Sequence, residues 1–545
     1  MALVPLFGLG LKGKSAVVTA QRHLNLYCEI NPQGDKSSIT FYGTPGLLLV
    51  TSFGDTPIRG MIAIDDFIYV VHRGTLWRLN NAGIKVALGT LATTSGRVSM
   101  AYNGVQIGIT DGTNLYVYII GQTAQSIASI SNVGTTATLT TSAPHLRYTG
   151  ETITVSGTTP AAYSGTFVIT ATGANTFTYT MLSNPGGVAT VVGSYAVTAS
   201  FLTVTANLIG VPIDITFGDS YGILEYAAGQ FQITSSYDFT TLDALDFATA
   251  ESNPDGLVRG IYDHGELLLF GSNTIEPWGN TGGQDFPYSV QRGSTLQFGL
   301  AAKWSLVQYN DSIAGLFKNS MGQVQVMQMR GHAIAPISSP DLDYTINGYA
   351  TVSDATAFCY MLGGHPMLQI SFPSEQKSWL YDASTQLWSE LESGLSGERH
   401  RGEILVDYLN KPRVADHENG NIYTLDADTY TDNGMPIARE IVTKTVFAGA
   451  NKRIAVSRIG VDCETGNGLA TGQGENPQIM MQVSKDSGRT WGNEMWRSMG
   501  KIGAYMQRVY WTRLGSAYFW TMKFRVTDAV KVVLTFTDAE SEVRN

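Results

Sequence analysis

Tight reversals constrain this chain more than any other feature. Runs of alternating apolar residues are cut repeatedly by short polar stretches that suit a hairpin turn. Asn103-Gly104 separates 99–102 from 105–110, and Asp111-Gly112-Thr113-Asn114 separates that run from 115–120. Asp65-Asp66 and His72-Arg73-Gly74 divide 62–64, 67–71 and 75–79 in the same way. Residues such as Asn, Asp and Gly tolerate left-handed backbone or bond their own turn, so the chain can double back at low cost. Period-two patterning on either side makes each run a strand. Strand, turn, strand, turn, strand is one antiparallel meander, and this unit recurs. Long Ala/Leu/Glu/Lys stretches of period 3.6 are missing. The 59 glycines, beside 26 tyrosines and nine tryptophans, fit many short strands.

A chain of 545 residues exceeds one ordinary core and predicts roughly two to four domains. Residues 1–55, punctuated by Gly and Pro, read as an extended N-terminal arm with one or two strands. Meanders begin at Ile58. After the second, composition shifts: between Gly121 and Ile213 only Arg147 and Glu151 are charged. There Ile153, Val155, Phe167, Ile169, Phe177 and Tyr179 supply a regular inward face to Thr-rich strands. Residues 122–210 therefore read as an inserted immunoglobulin-like β-sandwich. Meanders resume after Pro212, centred on 221–233, 258–282, 304–338, 350–391 and 402–426. Their spacing approaches the ~40–50 residues of a propeller blade. The fold class expected is thus all-β. A β-propeller of six to seven blades is split between 56–121 and 211–440. Longer strands at 477–484, 507–511, 520–527 and 531–536 make 441–545 a C-terminal β-sandwich.

Charge narrows the function classes. The formal net charge is −10, with 15% charged residues against 43% hydrophobic. A protein that grips nucleic acid by neutralising phosphates usually carries a basic surplus, so tight DNA binding is not expected. Cys28, Cys359 and Cys463 are far apart and odd in number, which reads as free thiols in apolar surroundings. No positive residue precedes the first apolar run, so no signal peptide is expected. No uncharged apolar run reaches the ~18 residues of a membrane span, so no membrane anchor is expected.

Several motifs invite chemistry. Gly8-Leu9-Gly10-Leu11-Lys12-Gly13-Lys14-Ser15 matches the phosphate-loop pattern letter for letter. That loop needs a buried strand before it and a helix after it. Here only seven residues precede it, and 16–20 favours a strand, so a terminal arm is expected. Ser484-Lys485-Asp486-Ser487-Gly488-Arg489-Thr490-Trp491 has the form of an Asp-box, a hairpin whose Asp bonds backbone and whose Trp packs beneath; it reads as a structural turn. Glycoside hydrolysis needs two carboxylates about 5–9.5 Å apart. Asp243, Asp246, Glu251 and Asp255 stand together in what reads as an acidic loop, where turn capping is the expected role. His400-Arg401-Gly402-Glu403 has the wrong spacing for a helical zinc pair. Trp491, Trp496, Tyr505, Tyr510, Trp511, Tyr518 and Trp520 are expected mostly in the core, some of them anchoring a partner. No catalytic, cofactor-binding or metal-binding residue is assigned, and no enzyme activity is expected.

The stretch around 241–300 carries a resemblance. Asp246-Phe247-Ala248, Ala250-Glu251-Ser252-Asn253-Pro254-Asp255, Gly265-Glu266-Leu267 and Thr274-Ile275-Glu276-Pro277-Trp278-Gly279-Asn280-Thr281-Gly282 resemble the packaged-DNA stabilisation proteins of short-tailed bacteriophages, which form the tail nozzle or hub. Asn25-Leu26-Tyr27-Cys28-Glu29 with Tyr42-Gly43-Thr44-Pro45-Gly46-Leu47 agrees. So does Ser371-Phe372-Pro373 with Trp379-Leu380-Tyr381-Asp382 and Trp388. The insert resembles the decoration domains of many phage tail proteins. The resemblance implies a structural virion protein made in the host cytoplasm. It implies a homo-oligomeric ring, typically a hexamer, below an adaptor ring and near tail fibre, spike or needle proteins. Such a ring extends the channel for double-stranded DNA without gripping it, helps retain the genome and permits its ejection. The alternative is a tail-associated propeller that binds or cleaves carbohydrate.

Overall fold

The computed structural model describes residues 2–3, 6–32, 37–145, 147–250, 255–283, 286–395, 397–449 and 452–544. Pro5, ahead of the glycine-rich segment, and Glu251 to Pro254 of the acidic stretch lie outside them. The chain forms two compact units, one of residues 1–57 and 300–545, the other of 58–299.

The second unit is built from four-stranded antiparallel meanders. The first runs Ile58–Ile64, Phe67–His72, Thr75–Asn80, Lys85–Thr90. Ser99–Tyr102, Gln106–Thr110 and Leu115–Ile119 begin the second, and Ser200–Val204 completes it. The third spans Pro212–Gly218 to Asp238–Thr249, and the fourth Leu257–Asp263 to Tyr288–Val290. Their turns have a local cause. At Asn103-Gly104 the Asn103 carboxamide oxygen accepts from the amides of Val105 and Gln106 (3.1 and 2.7 Å), while Gly104 takes φ +100°. The Asp111 carboxylate does the same for Thr113 and Asn114.

Among the described residues, three apolar clusters of this unit are each shared by two successive meanders. Tyr69, Val71 and Leu76 meet Ile107, Ile109 and Tyr116. Leu115 and Val117 meet Leu224, Phe239 and Leu242. Ile223, Phe231 and Ile233 meet Leu267, Leu269 and Trp278. A twisted sheet buries a face at about 1.5–3 kcal/mol per large side chain, so the meanders stack face to face like blades.

Between the third and fourth strands of the second meander the chain leaves to build a closed barrel. Its order is Gln122–Val133, Thr136–Thr141, Thr176–Thr180, Gly165–Gly173, Thr152–Ser156, Ser194–Val197, returning to the first. Ile153, Val155, Phe167, Ile169, Phe177 and Tyr179 point into its core with Ile130, Leu139 and Tyr195. Arg147 and Glu151 pair with each other at 2.9 Å, both almost fully buried.

The first unit holds three more meanders: the sheet from Gly299–Leu300 to Ala333–Pro336, then Thr356–Leu362 to Leu387–Ser393, then Gly402–Tyr408 to Asn421–Asp426. Seven such meanders thus stand among the described residues. Clusters are again shared: Leu316 and Val326 with Leu368, Ile370 and Trp388; Phe358 and Leu380 with Val414 and Tyr423. A short helix, Pro340–Ile346, separates two of the meanders. Ser339 caps it, Pro340 occupies its first turn and Asp341 and Asp343 face its positive end.

The segment expected as an extended arm departs from that expectation. Gly46–Ser52 pairs with Asn421–Asp426 and supplies the fourth strand of the last meander. Arg22–Leu24 bridges Leu387–Ser393 and Arg439–Val442. Leu26–Ile30 and Ile39–Gly43 join the C-terminal strands Arg453–Cys463, Val509–Ala517 and Val533–Arg544 in one sheet. A second layer contains Arg439–Val442, Phe519–Val526, Gln478–Ser484 and Met495–Ser498. Leu26, Cys28 and Phe41 are buried with Ile459, Trp511, Trp520 and Phe524 between the two layers. The reason is register: Leu24, Leu26, Cys28 and Phe41 form apolar faces that cannot stay exposed.

Candidate functional site

The glycine-rich segment does not form a phosphate cradle. The amide of Gly10 donates to the Gln21 side chain and that of Gly13 to Thr19 O (3.3 and 3.2 Å). Residues 15–18 turn without a helix, and the Lys14 ammonium lies over the Tyr344 ring at 5.4 Å. Two of the backbone donors a phosphate would need, those of Gly10 and Gly13, are engaged within the chain.

Asp486 sits at the turn after Gln478–Ser484. It accepts from the amides of Arg489 and Thr490 (3.0 and 2.9 Å) and from the Thr490 hydroxyl (2.6 Å). These bonds hold its carboxyl far below the usual carboxylate range. It is an anchored turn.

The acidic stretch is not the loop its composition suggests. Asp243 and Asp246 lie on Asp238–Thr249, the outer strand of the third meander. Its pairing jumps from Thr234↔Leu242 to Gln232↔Phe247, so 243–246 bulge outward with Leu245 81% exposed. Burial and the neighbouring Asp243 raise the Asp246 carboxyl. Asp255 is used elsewhere, accepting from the amide (3.0 Å) and hydroxyl (3.1 Å) of Thr274. The innermost strands of the four meanders of this unit instead border a cavity of about 300 Å³, where Asp214 pairs with Arg259 at 3.4 Å.

His400 is buried, which lowers its pKa to about 4; its Nδ1 accepts from the Gly402 amide (3.0 Å), and Glu403 pairs with Arg399 (2.9 Å). Among the described residues no group of three or more His, Cys, Asp or Glu side chains is arranged to hold a metal ion. Cys28 is buried, Cys359 and Cys463 half-buried, all three free, and burial pushes the Cys28 thiol up to about 12.

Two charged clusters that the sequence did not reveal hold the first unit together. Arg22 donates to Glu390, Glu392 and Glu440 at 2.9, 2.8 and 3.2 Å, joining three strands. Burial opposes its charge, yet these carboxylates raise its pKa above the ordinary arginine value. Arg439, 1% exposed, lies against Gly43, where a Cβ would stand 2.3 Å from its Nε. Its counter-charge is Asp432, whose pKa burial pushes up to about 6. The first cluster carries no sequence signal, since Arg22 lies hundreds of residues from its three glutamates, and in the second Gly43 is as far from Arg439.

The aromatics of the last third divide. Trp511 and Trp520 are core. Trp496, Tyr505, Tyr510 and Tyr518 are exposed, against the expectation of a mostly buried set. Alternation explains it: Tyr510 and Trp511, like Phe519 and Trp520, point to opposite faces.

Comparison with known proteins is consistent with this architecture. The family described as Bacteriophage P22 Gp10, beta-propeller, matches residues 151–430, and the one described as Bacteriophage P22 Gp10, beta-sandwich, matches 438–542. The tail hub protein gp10 of Salmonella phage P22 is 25% identical over 276 residues, which is 49% of this chain and 56% of that protein. The chain thus spans about half the length of this curated relative. Among solved structures, YCF48 from Cyanidioschyzon merolae aligns over 70% of this chain and 98% of its own at 9% identity and TM-score 0.38. The WD40 domain of Toxoplasma gondii coronin aligns over 73% and 85% at 9% identity and TM-score 0.35.

Proposed function

The chain belongs to the bacteriophage P22 Gp10 family, a β-propeller followed by a β-sandwich, and from that membership we propose that it is a structural virion protein, the hub or nozzle of a short-tailed phage tail. The observation that carries the reading is the succession of both family matches along 151–430 and 438–542, in the order propeller then sandwich. The curated relative is itself called a tail hub protein. The charged clusters support the reading, because they hold strands together and present no open catalytic pair.

In this reading the protein acts by assembly and not by catalysis. Copies form a ring, most simply a hexamer, below an adaptor ring and beside fibre, spike or needle proteins. The ring continues the DNA channel and lets the genome leave, and assembly takes place in the host cytoplasm. A net charge of −10 per chain favours a sleeve that passes duplex DNA over one that grips it. The inserted barrel, read as immunoglobulin-like, interrupts the propeller chain between two paired strands of one meander and serves as a decoration.

The test is a phage carrying an amber codon in this reading frame. Without suppression, filled heads are expected to lose DNA and to lack the tail tip, and supplying the protein in trans should restore both. Particles with complete tails under those conditions would refute the role. Depolymerisation of host polysaccharide by the purified chain would move the reading to the carbohydrate-acting alternative.

A further inference from the structure

We propose that the exposed aromatic and basic edge of the C-terminal sandwich docks on the acidic outer strand of the third meander of a second copy of this chain. The inference rests on the tail-hub reading and names the surface by which neighbouring subunits would join.

Charge is divided along the sequence. Residues 441–545 carry 14 Lys and Arg against nine Asp and Glu, whereas 1–440 carry 21 against 36. A chain acidic overall therefore ends in a basic domain. Four of the apolar groups exposed on that domain stand close in sequence, and Arg497 joins two of them in space. Trp496 is 54% exposed, Tyr505 73%, Met506 94% and Tyr510 45%. Arg497 ties the edge together, its Nε donating to Tyr510 O (3.0 Å) and its Nη1 to Trp496 O (2.7 Å). The Arg458 guanidinium stands 5.2 Å from the Tyr510 ring, and Arg508 and Arg513 are exposed beside it. Clustered exposed aromatics with arginine are the composition of an interface centre, whereas single exposed apolar residues are ordinary.

Val509–Ala517 is the last strand of its sheet, so this patch lies along a sheet edge. The complement has the opposite chemistry. Asp238–Thr249 is also an outermost strand, and its 243–246 bulge presents Leu245 between Asp243 and Asp246. Both are therefore strand edges, one basic and aromatic, the other acidic and aliphatic. A contact of either surface with itself would set like charges together. The attractive pairing is head to tail, the type that closes into a ring when the rotation permits.

The test is sedimentation velocity of the full chain at physiological ionic strength, with mass spectrometry of purified virions in parallel. Arg508→Glu, at an exposed position, and Leu245→Ser, which keeps the bulge, are each expected to weaken self-association about tenfold or more. Asp243→Lys with Asp246→Lys should do the same. Combined with Arg508→Glu, that charge swap should recover part of the loss. Rising salt should weaken the wild type and leave Arg508→Glu less affected. Wild-type assembly unmoved by these changes would overturn the docking surface and leave the hub reading standing. A wild-type chain that stays monomeric at every concentration would overturn it too, whereas absence of the chain from virions is what would sink the hub reading. Loss of duplex-DNA binding in Arg508→Glu with assembly intact would show that the edge serves nucleic acid instead, and would equally overturn the proposal.

Discussion

Replacing Arg22 with alanine should unfasten the first unit at its most charged point. One guanidinium serves three carboxylates there, Glu390 at 2.9 Å, Glu392 at 2.8 Å and Glu440 at 3.2 Å. The arginine side chain is 25% exposed, and the carboxylate side chains are 14%, 10% and 7% exposed. Removing one partner of a buried ion pair costs about 3–5 kcal/mol, because the other charges remain desolvated. Partial exposure of Arg22 moves the expectation to the lower end, about 3 kcal/mol. Lys377 stays 3.6 Å from Glu392 and offsets only one of the three charges. For a unit of this size the loss corresponds to a fall of roughly 5 °C in the midpoint of its transition. The assay is calorimetry of the full chain at pH 7.5. Adding Glu390→Gln and Glu392→Gln should recover part of the loss at pH 7.5, since fewer uncompensated charges remain. A midpoint shift under about 1 °C would refute the view that this cluster joins the strands.

Asp432→Asn should leave stability at pH 7 unchanged or slightly raised, because burial disfavours the ionised carboxyl more than Arg439 favours it. The wild-type Asp432 carboxyl titrates at about 6 in the fold, above its ordinary value, so the native state binds the proton more tightly and wild-type stability should fall as pH rises from 4 to 6. The variant should be flatter over that window, and equal slopes in denaturant titrations would contradict this. Excising the insert and joining Ile119 to Ser200 by a tight turn should leave a folded β-rich protein, because those two residues are already paired across adjacent strands; global unfolding by circular dichroism would count against it. Lys14→Ala should change no nucleotide affinity in calorimetric titration, since the Gly10 and Gly13 amides are bonded internally and no helix follows the loop; micromolar ATP binding lost on that change would overturn the reading.

What the sequence determined by itself is what local physics controls. Asn103-Gly104 and Asp111-Gly112 set their turns through their own side chains and through φ, so the meanders could be read without any knowledge of what they pack against. The Thr-rich alternation from Ile153 to Tyr179 likewise announced a separate core. Ser339-Pro340-Asp341 was a legible helix start that strand-rich surroundings obscured. The matched Gly8–Ser15 pattern could be set aside on sequence alone, because a phosphate loop is defined by the strand and helix around it, not by its letters. Tertiary structure alone decided the rest. Gly46–Ser52 closes a meander some hundreds of residues away because an unpaired edge at Asn421–Asp426 had to be satisfied. Arg22 found three glutamates from two distant strands. Trp511 went inward and Tyr510 outward because pairing with Arg453–Cys463 fixed which face of that strand meets the core. Register, edge pairing and charge clustering join positions far apart in the chain, and only the folded backbone brings them within reach of one another.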